Sequence, residues 1–582
     1  MKQQYGQRAH VLAVAMGAVA LAIVAQMARI QNSPEAAVFR QRASDYAYEL
    51  RTFYPDRGEI YDRNGHLLAG NKSVYEIGVD LSRAKDPHAI AYAVSSELSI
   101  DYAQILNVIQ KPPQGLSYVV IADFIETQQA QRLQELKKAL QDKAPEGALG
   151  GLTGLQFKPH PHRSYPEGAL ASNVIGFVSR EGRGYFGVEE KYDTLLAGNP
   201  VQALVPTDPN KAFEIPRALN GATLVLTINR DLQSSAEQIL DASLNTYGAR
   251  SGVIVVMDPR NGELLAVAST PRMNLNQFWN YGSVYNKASD FNPAISKPYE
   301  PGSVFKILTM AAALDSGTVT PSNTYLDVGS ILVGGVTIQN WDQKPWGLQN
   351  MTGCLQHSLN VCMATISTQM GAGTFYSYMN NFGFGHLTGV DLAGEAAGRL
   401  KIPGDSDWYP VDLGTNAFGQ GLSATPIQIM MAASSIANKG RVVTPHALYA
   451  MVRDGRQYRV PAQFAGSPVS EKTASTLSEM LAVSLESEAS LAMTPGYRVA
   501  GKTGTAQIPV NGFYDSTQTN ASFIGWGPVD DPQFMIYVWL ERPSASIWGS
   551  ETAAPVFSEM AQKTVVLLDI PPDAIRRKLA AK

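Results

Sequence analysis

Three short stretches of this chain carry residue types that could do covalent chemistry. The first is "YEPGSVFKIL", Tyr299 to Leu308, where Ser303 follows a Pro-Gly turn and Lys306 stands three residues later. Residues three apart share a helix face, so the lysine can reach the serine hydroxyl from one turn on. A serine at a helix start has free backbone N–H groups around it. Those groups and the positive helix end can stabilise developing negative charge. A desolvated lysine gives up its proton more readily and can act as a base. The competing reading is an ordinary N-cap, for which serine is also favoured. The spacing alone does not decide, because Ser-x-x-Lys recurs at Ser82 and Lys85. That second pair sits in "DLSRAKDP", with no apolar helix behind it, and reads as solvated surface.

The second stretch, "QHSLNVCM", contains Ser358 and Asn360; the third, "AGKTGTAQI", contains Lys502, Thr503, Gly504 and Thr505. Ser-Leu-Asn also occurs at Ser243 to Asn245, on a predicted helix surface, whereas Lys-Thr-Gly occurs once. A glycine inside a strand marks close approach of a ligand or another backbone. The flanking lysine and threonines supply a cation and hydroxyl donors for an anionic group. Each stretch could be structural on its own. In the order Ser-x-x-Lys, Ser-x-Asn, Lys-Thr-Gly they form the signature of penicillin-recognising serine enzymes.

On these residues the chain resembles the class B penicillin-binding proteins, bitopic peptidoglycan D,D-transpeptidases. The resemblance extends through "RGEIYDRNGHLLA", "RSYPEGALASNVIGFV" and "GVEEKYDTLLAG" to "LVLTINRDLQ", "VVMDPRNGELLAVAST", "FGFGHLTGVDLAGEAAG", "FGQGLSATPIQ" and "IGWGPVDDPQF". It implies that Ser303 attacks the carbonyl between the last two D-alanines of a stem peptide and that Lys306 takes its proton. Ser358 and Asn360 would complete the proton relay and hold the peptide amide. Lys502, Thr503 and Thr505 would bind the terminal carboxylate, with Gly504 between them. The N–H groups of Ser303 and Thr505 would form the oxyanion hole. An amine from a second stem peptide would resolve the acyl-enzyme, and β-lactams would inhibit it. The implied partners are lipid-linked precursor strands, a SEDS-family glycosyltransferase and other divisome or elongasome membrane proteins. "FGFG", "TGVDLAGE" and "FGQG" favour the division and sporulation branch; an elongation enzyme and a catalytically silent divisome scaffold are the alternatives. Three positions depart from the family pattern: Asn229 for Asp, Val304 for Thr and Leu359 for Ser. None removes a reacting group.

The same motifs occur in β-lactamases and D,D-carboxypeptidases. No stretch qualifies as the glutamate that a class A β-lactamase uses for deacylation. The large module before residue 216 and the N-terminal apolar run fit a cell-wall synthase better. A β-lactam sensor would need a cytoplasmic output, for which the residues before that run are too few.

The elements that must position these groups follow from the rest of the chain. At 582 residues with 45% hydrophobic and 17% charged residues, two or three folded domains are expected. A formal net charge of −4, with no long basic run, gives no sign of a nucleic-acid partner. Lys2 and Arg8 precede an apolar run from Val11 to Ala28 broken only by Gln26. At 1.5 Å per residue it spans about 27 Å, near the hydrocarbon thickness. It reads as an uncleaved, single-pass anchor in the cytoplasmic (inner) membrane, with the positive flank inside and the remainder extracytoplasmic. The expected division is a tail at 1–10, an anchor at 11–28, an N-terminal pedestal or dimerisation module at 29–215, a transpeptidase domain at 216–570 and a polar tail at 571–582. The fold class is α+β and multidomain. An elongated β-rich module would precede a central antiparallel sheet covered by helices. A polar helix should continue from the anchor to Phe53. Asn64-Gly65 and Asn261-Gly262 mark hairpin turns.

No cofactor or metal is expected. The two cysteines, Cys354 and Cys362, exclude a disulfide framework and a Cys-based zinc site and read as small core residues. On one helix they would stand about 12 Å apart, beyond bridging distance, unless the helix breaks between them. His160 and His162 have no third ligand near them in sequence and read as loop surface.

Overall fold

The computed structural model describes residues 2–45, 48–53, 55–143, 151–206, 219–285, 290–488, 490–510 and 513–580. The chain forms two compact units: Met1–Asp56 with Gly198–Gly221, and Arg57–Ala197 with Ala222–Lys582.

In the smaller unit, a helix runs over Lys2–Gln31. Its stretch Ala9–Gln31, with a mean hydropathy of 2.3, is long and apolar enough to cross a membrane, and it contains the expected span. Among the described residues it is the one helix of that kind. The Ser33-Pro34 step restarts the chain as a second helix, Pro34–Asp45, with Ser33 Oγ accepting from Ala36 N. That helix does not reach Phe53 as expected. Tyr48–Phe53 is instead a strand, antiparallel to Val201–Pro206, with Tyr48 opposite Pro206. Tyr, Thr and Phe in this stretch suit a pleated strand better than a helix, and the paired strand supplies the partner.

The larger unit is built on two sheets. One runs in the order Arg456–Arg459, Leu448–Arg453, Thr223–Leu226, Ile60–Tyr61, Leu67–Asp80, Tyr118–Glu126, with Leu155–Ser164 also paired to Leu67–Asp80. The Asn64-Gly65 turn joins Ile60–Tyr61 to Leu67–Asp80 as an antiparallel hairpin, with Gly65 at φ +88°. Ile60–Tyr61 then lies parallel to Thr223–Leu226. A backbone ladder therefore crosses from the N-terminal module into the rest of the chain, and residues 57–197 share a compact unit with the catalytic motifs. His160 and His162 are strand residues here, not loop surface. His160 Nε2 lies 2.7 Å from Asp123 Oδ1. His162 packs on the Phe124 ring, and burial pushes its pKa down to about 4.

The second sheet is antiparallel, in the order Leu264–Ser269, Ser251–Met257, Phe534–Glu541, Phe513–Gly527, Ala500–Val510. Its first two strands are joined at Asn261-Gly262, with Gly262 at φ +86°. The inner strands are buried on both faces, which is why Ser251–Met257 and Phe534–Glu541 read as nearly continuous apolar runs. Successive side chains point to opposite faces. Ile254, Val256 and Ile536 pack with Leu232, Ala236 and Phe557 from the helices Arg230–Tyr247 and Ala553–Leu567. Val253, Val255 and Tyr537 join the core that holds Ile307 and Leu308. Ala500–Val510, which carries Lys-Thr-Gly, is the edge strand. The expected polar tail is a short helix over Asp573–Ala580. Asp573 accepts from Arg498 N, and Arg576 pairs with Asp530 and Asp573.

Candidate active site

Gly302–Phe305 forms a 3₁₀ turn that runs directly into the helix Lys306–Asp315. Neither element has a side-chain N-cap, so the ordinary-cap reading of Ser303 does not hold. Ser303 is half-buried at the turn, and its carbonyl accepts from Lys306 N. Lys306 is 0% exposed and sits on a helix whose next seven residues are also buried. Gly302 at φ +60° makes this turn possible. Its N–H donates to Gly419 O at 3.0 Å, and a Cβ on Gly419 would lie 2.3 Å from Gly302 O. The glycine pair in "FGQG" thus lets a second backbone seat directly against the Ser303 turn.

Ser358 and Asn360 reach this helix from a sharp break. Helix Met351–Gln356 ends, and helix Asn360–Met370 begins four residues later. Between them Ser358 adopts φ +51°, a left-handed conformation that costs a non-glycine residue about 1 kcal/mol or more. Surrounding bonds hold it there: Ser358 N to Leu355 O at 3.2 Å, and Leu359 N to Cys354 O at 3.0 Å. Lys306 Nζ lies 2.5 Å from Ser358 O, 3.1 Å from Ser358 Oγ and 2.8 Å from Asn360 Oδ1. Among the described residues no carboxylate compensates the buried amine. Burial first, and the nearby Lys502 charge second, push its pKa well below that of a free lysine.

The Lys-Thr-Gly strand closes the other side. A Cβ on Gly504 would lie 2.2 Å from Ser522 Oγ, 3.0 Å from Val304 and 3.1 Å from Pro301 O. Glycine is required there for the strand to lie against the Ser303 turn. Lys502 is 4% exposed, with Nζ 3.2 Å from Thr503 Oγ1. Burial lowers its pKa to about 8, against an opposing pull from Glu488. Thr505 Oγ1 accepts from Gly549 N at 3.0 Å, which leaves its own proton free to donate.

The three motifs thus meet around one buried lysine, and three comparisons with known proteins fit that arrangement. The penicillin binding protein transpeptidase domain family matches residues 252–562, and the penicillin-binding protein dimerisation domain family matches residues 52–215. The chain belongs to the class B penicillin-binding proteins. It is 32% identical over 536 residues to stage V sporulation protein D of Bacillus subtilis, covering 89% of this chain and 79% of that one. It is 27% identical over 533 residues to the probable peptidoglycan D,D-transpeptidase PbpC of Pseudomonas aeruginosa, covering 89% and 88% of the two chains. Among solved structures, penicillin-binding protein 3 of Mycobacterium tuberculosis in complex with aztreonam superposes with a TM-score of 0.68 at 27% identity, covering 90% and 98%. The chemistry of the family is serine-type acyl transfer.

Several features of this penicillin-binding protein escaped the sequence. Cys354 and Cys362 are not separate core residues but a disulfide, with Cα atoms 6.1 Å apart. The break at Ser358 interrupts the helix between them and removes the rise that would have kept them apart. A Pro or Gly would have flagged the break, and neither is present. Ser243 is on a helix, but it is buried and its Oγ donates to Ile239 O at 2.6 Å. The departures from the family pattern are accommodated. Asn229 caps the helix Arg230–Tyr247 by accepting from Asp231 N and Leu232 N, as an aspartate would. Val304 and Leu359 are buried in the core around the turn.

Proposed function

We propose that Ser303 is the acylated nucleophile of this peptidoglycan D,D-transpeptidase and that neutral Lys306 is its base. The observation that carries this reading is the set of acceptors around Lys306 Nζ, with no carboxylate among them. A neutral amine has two N–H groups for Ser358 O and Asn360 Oδ1, and its lone pair is then free to take a proton. Ser303 Oγ gives up that proton as it attacks the carbonyl between the two terminal D-alanines. The C–N bond breaks, D-alanine leaves with the proton relayed through Ser358 Oγ, and an acyl-enzyme remains. The amine of a second stem peptide then attacks the ester and restores the Ser303 hydroxyl. The N–H groups of Ser303 and Thr505 stabilise the oxyanion. Protonated Lys502, with the free Thr503 and Thr505 hydroxyl protons, holds the terminal carboxylate of the donor.

The septal or sporulation setting is the reading we favour, from the "FGFG", "TGVDLAGE" and "FGQG" stretches and the similarity to stage V sporulation protein D. In it the helix Lys2–Gln31 anchors the chain in the cytoplasmic membrane, the catalytic domain is extracytoplasmic, and the N-terminal module contacts a SEDS-family glycosyltransferase. Labelling the detergent-solubilised chain with a fluorescent penicillin tests the chemistry. Peptide mapping is expected to place the adduct on Ser303, and none should form on Ser303→Ala. An adduct on that variant would overturn the assignment.

A further inference from the structure

The strand Tyr118–Glu126 of the N-terminal module is bulged where it carries Phe124. Tyr75 pairs with Ile125 and Ile77 with Ala122, so Asp123 and Phe124 both fall opposite Glu76. Phe124 sits there at φ +59°, a left-handed conformation that a bulky residue rarely adopts and that costs about 1 kcal/mol or more. Surrounding bonds impose it. Asp123 Oδ1 accepts from Phe124 N at 2.8 Å and lies 2.7 Å from His160 Nε2, while Asp123 Oδ2 pairs with Arg180 at 2.6 Å. The bulge aims the Phe124 ring at Trp279, in the 3₁₀ turn Leu275–Asn280 of the transpeptidase domain. The two rings stack with centroids 5.6 Å apart and an interplanar angle of 22°. That turn is fastened to the module. Leu275 N donates to Gly168 O at 3.1 Å, and Asn276 exchanges two bonds with the Tyr165 backbone. Trp279 is nevertheless 56% exposed, so the indole face turned away from Phe124 is open to water. A row of rings continues from Trp279 through Phe278 and Phe177 to Tyr185, and Tyr185 is also exposed.

From this we infer that Trp279, backed by Phe124, is a stacking platform for a glycan strand of the peptidoglycan that this enzyme cross-links. The inference rests on the reading of the chain as a peptidoglycan D,D-transpeptidase, and it adds the sugar polymer to the stem peptide as a recognised part of the substrate. A pyranose ring presents a flat apolar C–H face and a rim of hydroxyl and acetamido groups. The open indole face suits the first. The chain of contacts through His160, Asp123, Arg180 and Glu76 offers donors and acceptors to the second. Lys72 and Glu126 pair at 2.6 Å, so the charges around the platform are balanced among themselves. Such a surface complements a neutral polymer and gives no purchase to an anionic lipid headgroup or a highly charged segment. A linear strand of rings also suits a row of aromatics with an exposed ring at each end. A tryptophan that served packing alone would be covered on both faces. Here a bulge, a strained phenylalanine and a fastened turn together hold one indole with a face in water.

The test uses the solubilised full chain and a soluble β-linked N-acetylglucosamine oligomer, which carries no stem peptide to engage Ser303. Calorimetric titration is expected to show binding that Trp279→Leu weakens about threefold to tenfold, the weight of one aromatic contact. Trp279→Tyr keeps a flat ring and should retain most of the affinity. Cross-linking of preformed, uncross-linked peptidoglycan strands should fall by a similar factor in Trp279→Leu, mainly through a raised KM. Turnover of a D-alanyl thioester and labelling by a fluorescent penicillin should stay at wild-type values. A wild-type chain that does not bind the oligomer overturns the platform. Leucine binding as well as tryptophan does so too, and marks the face as an apolar contact with another protein. A thioester turnover that falls along with strand cross-linking marks Trp279 as a structural strut and overturns the platform as well. A wild-type chain that takes no penicillin label defeats the reading of Ser303, whereas normal labelling without oligomer binding defeats the platform alone.

Discussion

Ser303-Lys306 and Ser82-Lys85 repeat one spacing in two surroundings. Ser82 is exposed in the turn after the strand Leu67–Asp80, and its Oγ donates to Asp80 Oδ1 at 2.6 Å. That bond points the hydroxyl proton at a carboxylate and holds the aspartate below its ordinary pKa. Ser303 lies in a 3₁₀ turn that leads into a buried helix, and Lys306 is enclosed, with its pKa driven well down. The difference is not in the serine or the lysine. It is in what removes water from the amine and which acceptors meet it. Burial turns a lysine into a base, and the Ser358 break brings the partners that make burial tolerable.

The largest expected contrast comes from deleting each hydroxyl. Ser303→Ala should lose all penicillin labelling, while Ser82→Ala should label at the wild-type rate, read by in-gel fluorescence. Labelling that falls in both would mean that the exposed turn also bears on acylation.

A second contrast separates the two lysines of the site. Burial lowers the pKa of Lys502 to about 8, so it is mostly protonated at neutral pH and, in the proposed mechanism, attracts a carboxylate. As pH rises through that value the attraction is lost, and acylation by a carboxylate-bearing lactam should fall. Lys502→Arg keeps the charge but adds bulk to an enclosed position. We expect a loss on the order of tenfold, short of the ~10²–10³ seen when a stabilising donor is removed outright. Stability carries the same signature. Between about 8 and 10.5 the unfolded chain binds a proton at Lys502 that the folded chain does not, so stability rises with pH across that window. Thermal melts from pH 7 to 10, on wild type and Lys502→Met, should show a gradient that the variant loses in part.

The smallest effect concerns the disulfide that brackets Ser358. Replacing Cys354 and Cys362 by serine frees a short loop, worth about 2 kcal/mol of stability by chain entropy. Melting temperature should fall, and acylation should slow only modestly, because Lys306 and the backbone bonds still hold Ser358. Wild-type stability in the double variant would show that those bonds suffice without the bridge.

Much of the site was legible in the sequence because its chemistry sits in contiguous triplets. The fold class and the apolar anchor followed from periodicity and length. What escaped depends on contacts between distant segments. The Ser358 break has no Gly or Pro to announce it. The seating of Gly419 on Gly302 and of Gly549 on Gly504 needs coordinates, since any of the 50 glycines could have served a turn. The burial of Lys502 is not legible in the sequence, which places it on a strand without saying that the helix Glu471–Ser487 and the Gly302–Phe305 turn pack against that strand.

The central claim is that enclosure makes Lys306 a base where an exposed lysine would be inert. It is tested most directly by the pH dependence of the acylation rate, in wild type and Lys306→Arg, with a chromogenic β-lactam. The wild-type rate should rise with an apparent pKa far below the 10.5 of a free lysine. The arginine variant, whose guanidinium is never deprotonated, should lose about 10²–10⁴-fold at every pH. A wild-type profile that climbs only near 10.5, or an arginine variant that acylates near the wild-type rate, would contradict the account.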